Sequence, residues 1–80
     1  MKLTILAFGV AADIIGKPQI EIEVSEPLTA GLLKELLEQK YPGLKELASF
    51  LLAVNNEYAE EQLPIRATDE IAVIPPVSGG

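Results

Sequence analysis

The last six residues are the part of this sequence best suited to chemistry, because two glycines follow a stiff segment. The segment is Pro75-Pro76-Val77-Ser78-Gly79-Gly80. Consecutive prolines hold φ at about −65° and remove two backbone donors, so they end a strand and favour an extended exit. At about 3.3 Å per residue, the segment can extend roughly 20 Å. Glycine lacks a Cβ and fits narrow channels, so we expect the terminal carboxyl of Gly80 to be the group delivered to a distant site.

The alternative is that the last three residues have no function, since Ser and Gly are common in frayed termini and in cloning scars. The prolines and Val77 follow an apolar strand without a linker, and this arrangement weighs against a scar. We therefore predict two parts: a folded domain over residues 1–74 and an extended tail over residues 75–80.

The residue types that are missing exclude much other chemistry. The 80 residues include no cysteine and no histidine. Without them the chain cannot build a disulfide, a zinc site, an iron–sulfur cluster, a thiol nucleophile or an imidazole base. No base–nucleophile pair is recognisable either. We expect no metal site, no cofactor bound by this chain and no catalysis by the chain alone.

Charge and hydropathy narrow the range of partners. The net charge is −6 and the six cations are scattered, so nucleic acid is a poor partner. The acidity favours a basic protein surface or serves solubility alone, and both alternatives stay open. Because 49% of the residues are hydrophobic, we expect part of the apolar surface to cover a partner.

No run approaches the ~20 apolar residues of a membrane helix. The first residues resemble a strand and not a signal peptide, so we expect a soluble, cytoplasmic protein.

Alternation of apolar and polar residues predicts the strands that position the tail. Strands are expected over 2–8, 19–24, 58–59 and 70–74, and the apolar run over 50–54 predicts a strand covered on both faces. Asn55-Asn56 indicates a turn, since asparagine tolerates positive φ. The residues expected to face the core from the first two strands are Leu3, Ile5, Ala7, Ile20, Ile22 and Val24.

One main helix is predicted after Thr29, whose hydroxyl suits an N-cap. It ends at Pro42-Gly43, and Gly31 within it indicates close packing or a later start. Shorter helical segments are expected over 11–15 and 44–49. The apolar stripe of the main helix consists of Leu33, Leu36, Leu37 and Tyr41.

This order of elements predicts an α+β fold, a mixed sheet of four to five strands packed on one main helix. We expect the last strand to lie beside the first in the sheet centre, so that the tail leaves from a rigid strand. This is the arrangement of the β-grasp, or ubiquitin-like, fold.

The stretch from Asp69 to Gly80 resembles the carboxyl end of the small, sulfur-carrying subunit of molybdopterin synthase. The loop from Phe8 to Gly16 and the segment 52–55 are also similar to that family, and the length fits. Two positions depart from its pattern. Ala12 stands where the family often has a basic residue, so an ion pair with a partner is in doubt. Thr68 stands where it usually has a glycine.

The resemblance implies a mechanism at these positions. An E1-like partner that uses ATP would adenylate Gly80, and a desulfurase or a rhodanese-like donor would supply sulfur to form a thiocarboxylate. The tail would insert into the large synthase subunit, in a heterotetramer, and pass sulfur to cyclic pyranopterin monophosphate for the molybdenum cofactor. Gly79 and Gly80 would form the reactive end. The residues expected to bind the partner are Phe8, Pro75, Pro76, Val77 and Ser78, with ordinary core as the alternative for Phe8.

Three other functions fit the same features. A thiamine-type sulfur carrier shares the Gly-Gly end and the fold, but such chains are generally shorter. A ubiquitin-like protein modifier would join its carboxyl end to lysines of target proteins. An interaction module would carry an inert tail. Delivery of sulfur to a thiazole precursor would indicate the thiamine-type carrier, and conjugates of higher mass would indicate the protein modifier. A chain that still works without Gly80 would indicate the interaction module.

Overall fold

The computed structural model describes residues 1–47 and 50–75. Strand β1 (Lys2–Ala7), helix α1 (Gly9–Ile15), strand β2 (Gln19–Glu23) and helix α2 (Ala30–Lys40) come first. A 3-10 helix (Pro42–Glu46) and the strands β3 (Leu51–Val54), β4 (Glu57–Tyr58) and β5 (Ile71–Ile74) follow. The predicted site residues that lie outside the described residues are Pro76, Val77, Ser78, Gly79 and Gly80.

The five strands found in the described part of the chain form one mixed sheet in the order β2-β1-β5-β3-β4. Strands β1 and β5 run parallel, with Ile5 opposite Ile71, and the other neighbouring pairs are antiparallel. The last strand therefore lies beside the first, in the sheet centre, as the sequence predicts. A mixed sheet crossed by one main helix is the β-grasp arrangement, so the predicted fold class is confirmed.

The core lies between the sheet and the helices. Leu3, Ile5 and Ala7 of β1 are buried, as the alternation predicts, and Leu33 and Leu37 of α2 are fully buried with them. Each fully buried leucine contributes about 1.5–3 kcal/mol relative to exposure. The remaining core residues include Ala11, Ile22, Leu28, Leu44, Phe50, Leu52, Val54, Ile65, Ile71 and Val73.

Two expectations about burial are wrong. Leu36, placed in the apolar stripe, is 40% exposed, because it points away from the sheet side of α2. Strand β3 is not covered on both faces, since Leu52 and Val54 are buried while Leu51 is 46% exposed. An apolar run does not reveal whether a second layer covers it, and α2 covers only one face of the sheet.

The helical boundaries also differ from the predictions. Helix α1 spans Gly9–Ile15 and is longer than the single turn expected over 11–15. The second short helix begins at Pro42, which suits the first turn, and is a 3-10 helix that ends at Glu46. Thr29 caps α2 as predicted, because its Oγ1 accepts a hydrogen bond from the Leu32 N–H at 3.3 Å.

Candidate functional site

The tail leaves the sheet next to the start of α1. Because β1 and β5 are parallel and pair Ala7 with Val73, the chain leaves both strands at the same end of the sheet. Pro75, the last described residue, lies beside Gly9, where a Cβ atom would be 3.4 Å from Cγ of Pro75. The fold therefore brings two of the predicted site residues, Phe8 and Pro75, to one edge of the molecule.

Phe8 does not belong to the core. It is 50% exposed and occupies the N-cap position of α1 in an extended conformation, with φ −125° and ψ 151°. Its carbonyl oxygen accepts a hydrogen bond from the Ala11 N–H at 3.1 Å, which fixes the backbone while the ring stays accessible. The core alternative for Phe8 is wrong, and its role in binding a partner stays a prediction.

On the face of the sheet opposite α2, the part that runs from the end of β1 across β5 and β3 to β4 is largely apolar and open, whereas β2 presents Gln19, Glu21 and Glu23 there. Strand pairing aligns Leu6 with Ala72, Ala72 with Ala53, and Ala53 with Tyr58, in one row across four strands. A second pairing sets Leu51 opposite Ile74. We call this surface the open sheet face, and its apolar members are Leu6, Phe8, Leu51, Ala53, Tyr58, Ala72 and Ile74.

The open sheet face has the properties of a protein-binding surface. Leu6, Ala72 and Ile74 form a half-buried floor, while Phe8 and Tyr58 project from a shallow depression. Tyr58 is 69% exposed. Contiguous exposed apolar surface marks interaction sites, and aromatic side chains supply much of the binding energy at interfaces. Surface of this kind next to Pro75 can hold a partner protein.

Sequence reasoning missed most of this face. The sequence predicts Phe8 and Pro75 as binding residues but not Leu51 or Tyr58, because the apolar run of β3 predicts a strand that is covered on both faces. The available signal was the Asn55-Asn56 turn, which has φ values of 54° and 71° and folds Tyr58 back opposite Ala53.

A hydrogen-bonded clamp holds the start of β5. The Asp69 carboxylate accepts from the Arg66 backbone N–H at 2.8 Å and from the Asn55 side-chain amide at 3.0 Å. Asn55 Oδ1 in turn accepts from the Glu70 N–H at 3.0 Å. These donors, Arg66 first and Asn55 second, lower the pKa of Asp69 below its ordinary value of 3.8. The clamp ties the strand that carries the tail to the β3–β4 turn.

In the part of the chain that the structure describes, no candidate metal site and no membrane-spanning helix accompany the open sheet face. Within residues 1–47 and 50–75, no group of three or more acidic, cysteine or histidine residues could hold a metal ion. No buried polar or charged side chain occurs in the same part of the chain. None of the helices described there has the length and apolar character to cross a membrane. The arrangement can dock a partner through the open sheet face and present Pro75 at its edge.

Comparison with known proteins agrees with this geometry. The sequence profile of the ThiS family matches residues 5–80. The molybdopterin synthase sulfur carrier subunit of Dictyostelium discoideum is 41% identical to this chain over 84 residues, with 99% of this chain and 96% of the relative covered. Similarity therefore extends over nearly the full length of both sequences.

Two solved structures have the same fold. SAMP1 from Haloferax volcanii superimposes with a TM-score of 0.83 at 25% identity, and both chains are fully covered. A chain in the complex of subunits 1 and 2 of the molybdopterin-converting factor from Helicobacter pylori 26695 has a TM-score of 0.68 at 28% identity, again over both chains in full.

Proposed function

This chain belongs to the ThiS family, and from that premise we propose that it is the sulfur carrier subunit of a molybdopterin synthase. The observation that carries the proposal is the position of Pro75, which follows the central strand β5 and lies at the edge of the open sheet face. The full-length similarity to a subunit of that name in Dictyostelium discoideum supports the choice among sulfur carriers.

In the proposed mechanism the chain supplies one reactive group, the carboxyl of Gly80. An E1-like partner binds ATP and converts this carboxyl to an acyl-adenylate. A persulfide on a desulfurase or a rhodanese-like donor then attacks the acyl group through its terminal sulfur and displaces AMP. A thiol cleaves the S–S bond of the resulting acyl disulfide, which leaves a thiocarboxylate on Gly80 and a disulfide between the donor and the thiol. The large synthase subunit holds cyclic pyranopterin monophosphate, to which the thiocarboxylate passes its sulfur. This chain binds neither ATP nor a cofactor in the proposal.

The large subunit is the proposed partner of the open sheet face. A structural neighbour was solved as a complex of subunits 1 and 2 of a molybdopterin-converting factor, and this supports a partnership of the same kind here. Phe8 and Tyr58 provide the aromatic contacts, and residues 75–80 extend from the same edge into the partner. A heterotetramer in the cytoplasm, with two copies of this chain flanking a dimer of the large subunit, completes the proposal.

Deletion of Gly80 tests the carrier function. The full chain, incubated with the large subunit, the E1-like enzyme, ATP, a sulfur donor and the pterin precursor, is expected to show an oxygen-for-sulfur exchange in its intact mass and to support molybdopterin formation. The chain lacking Gly80 is expected to do neither. If the shortened chain still supports molybdopterin formation, the tail is not the sulfur carrier.

A protein modifier is the second candidate, and the match at 25% identity to SAMP1, whose name stands for small archaeal modifier protein 1, favours it over an inert interaction module. The two functions differ in their products. A modifier forms an isopeptide bond, so higher-mass conjugates would accumulate in extracts of native cells and disappear with Gly80 deletion. Delivery of sulfur to a thiazole precursor in place of the pterin would instead assign the chain to thiamine synthesis.

A further inference from the structure

The depression in the open sheet face has a floor of small residues. Ala72 of β5 and Ala53 of β3 are neighbours in the middle row, and the larger Leu6 and Tyr58 flank them on β1 and β4. Two small side chains between two large ones leave a recess over the alanines. Its volume is about 390 Å³, near the lower end of the about 300–1,000 Å³ of ligand pockets, so it has room for a side chain of a partner protein.

One end of the depression carries a carboxylate. Glu70 immediately precedes β5 and lies two residues before Ala72, so strand alternation turns its exposed side chain to the same face. Of the eight described residues that line the depression, Glu70 is the charged one. Residues two apart on a strand are separated by roughly 6.6 Å, at about 3.3 Å per residue. The carboxylate therefore borders the alanine floor.

The backbone of Glu70 is fixed through both of its polar groups. Its N–H donates to Asn55 Oδ1 at 3.0 Å, and its carbonyl oxygen accepts from the Asn55 N–H at 2.8 Å. The base of the side chain is thus held in place before a partner binds, which lowers the entropy cost of an ion pair there. The opposite end of the depression is apolar, since Phe8 and Ile74 line it.

Other charges lie toward the Glu70 end, but they do not line the depression. Lys2 on β1 is opposite Glu23 of β2, and Arg66 acts on the Asp69 carboxylate at the clamp. Each of these cations is therefore next to another carboxylate, and the charged group that a partner meets in the depression is Glu70. A second copy of the chain would bring a net charge of −6, which disfavours it as the occupant. A cationic group of another protein is complementary.

We propose that the depression receives an arginine side chain of the partner protein. Its methylene groups pack on Ala53 and Ala72, and its guanidinium pairs with the Glu70 carboxylate beside the Tyr58 ring. Arginine suits this position better than lysine, because its guanidinium is weakly hydrated, stacks on aromatic rings and binds a carboxylate through two hydrogen bonds. An apolar residue in its place would bury the Glu70 carboxylate without a partner, which is costly.

This inference rests on the proposed function in one respect, which is that the partner is the large subunit. Ala72 lies three residues before Pro75. An ion pair at Glu70 therefore fixes the position of the large subunit along β5 relative to Pro75. Glu70 is thus the residue that determines specificity within an otherwise apolar surface.

A matched pair of small probes tests the depression without the large subunit. Acetyl-arginine amide is added at high millimolar concentration to the full, isotope-labelled chain, and acetyl-citrulline amide, which has a similar shape but no charge, is the control. We expect only the arginine probe to shift the backbone amide resonances of Tyr58, Glu70 and Ala72, and Glu70→Gln to remove these shifts. Equal shifts by both probes, no shifts at these residues, or shifts that persist in Glu70→Gln overturn the proposal.

Binding of the large subunit to matched variants tests the docking role. Glu70→Gln is expected to weaken binding at least about tenfold, which corresponds to about 1.4 kcal/mol, and to reduce its salt dependence. Glu57→Gln makes the same change of charge next to Tyr58, but Glu57 pairs with the buried Val54 and so lies on the other face of the sheet. We expect Glu57→Gln to leave binding unchanged. Equal weakening by both variants contradicts the proposal, because total charge and not the contact at Glu70 would then control docking.

The two experiments separate this inference from the proposed function. If the large subunit does not bind the original chain, the proposed function fails, whereas the arginine probe still decides whether the depression holds a guanidinium. If the large subunit binds the original chain and Glu70→Gln equally well, the inference fails and the proposed function stands.

Discussion

Pro75 leaves the central strand against Gly9, where an added Cβ atom would lie 3.4 Å from Cγ of Pro75. Gly9 also has φ +54°, in the left-handed region that costs other residues about 1–2 kcal/mol. We therefore expect Gly9→Ala to lower the free energy of unfolding by about 1–2 kcal/mol and to place a methyl group in van der Waals contact with Pro75. Chemical denaturation measures the first effect, and the rate of sulfur delivery to the large subunit measures the second.

Gly16→Ala is the matched control for this prediction. Gly16 also has positive φ, +92°, but no atom lies within 4 Å of the position that its Cβ would occupy. It should therefore lose similar stability and retain the normal rate of sulfur delivery. Equal slowing in both variants would mean that general destabilisation, and not the contact between residue 9 and Pro75, controls delivery.

Gly31 is the second glycine whose missing Cβ matters. A Cβ there would lie 3.1 Å from Cβ and 3.2 Å from the carbonyl oxygen of Glu61. That carbonyl oxygen accepts a hydrogen bond from the Gly31 N–H, which holds Glu61 in place. Alanine gains up to about 1 kcal/mol in helix propensity, but overpacking costs about 1–3 kcal/mol. We expect Gly31→Ala to destabilise the chain by about 1 kcal/mol in thermal or chemical unfolding.

A double variant checks the cause of that loss. Glu61→Gly removes the closest atom, so it should cost less stability in the Gly31→Ala background than in the original chain. Additive effects of the two changes would show that the contact between positions 31 and 61 is not responsible.

The sequence pattern was sufficient for the sheet and for the cap of the main helix. Alternation in β1 and the hydroxyl of Thr29 are local signals with one physical meaning, and both predictions are confirmed. For Gly31 the sequence allows two explanations, close packing or a later start of the helix. The short distance between position 31 and Glu61 supports close packing. Helix α2 does begin at Ala30, next to Thr29.

The surfaces were harder to predict, because burial of an apolar residue depends on what the rest of the chain places over it. Leu36 and Leu51 fit an apolar pattern as well as Leu33 and Leu52 do, yet the first two are exposed. One helix on an 80-residue chain covers one face of the sheet, so half of the sheet stays open. Tyr58 became part of the site through strand pairing, which depends on the whole sheet and not on local periodicity.

The clamp at Asp69 predicts a pH dependence of stability. Hydrogen bonds from Arg66 and Asn55 lower the pKa of Asp69 below 3.8, so its carboxylate stabilises the folded chain above that pH. The contribution disappears as the pH falls through the lower pKa of the folded state. Asp69→Asn resembles the protonated acid, and we expect it to cost under about 1 kcal/mol at neutral pH because the group is close to solvent.

Unfolding by denaturant at several pH values measures this effect. The difference between the original chain and Asp69→Asn should shrink as the pH drops below 3.8. Asp13→Asn, at an exposed position of α1, removes one carboxylate outside the clamp and serves as the control. A gap between Asp69→Asn and the original chain that stays constant with pH would contradict the role assigned to the carboxylate.

The last prediction compares two exposed apolar residues on opposite sides of the molecule. Phe8 is 50% exposed on the open sheet face and Leu32 is 49% exposed on helix α2, so truncating either should leave the fold intact. Removing an aromatic anchor from an interface costs about 2 kcal/mol or more. We expect Phe8→Ser to weaken binding of the large subunit at least about thirtyfold in titration calorimetry, and Leu32→Ser to leave it unchanged. Weakening by Leu32→Ser and not by Phe8→Ser would place the large subunit on the helix side of the domain. The tail would then have to reach its partner around the edge of the sheet, and the proposed docking through the open sheet face would be wrong.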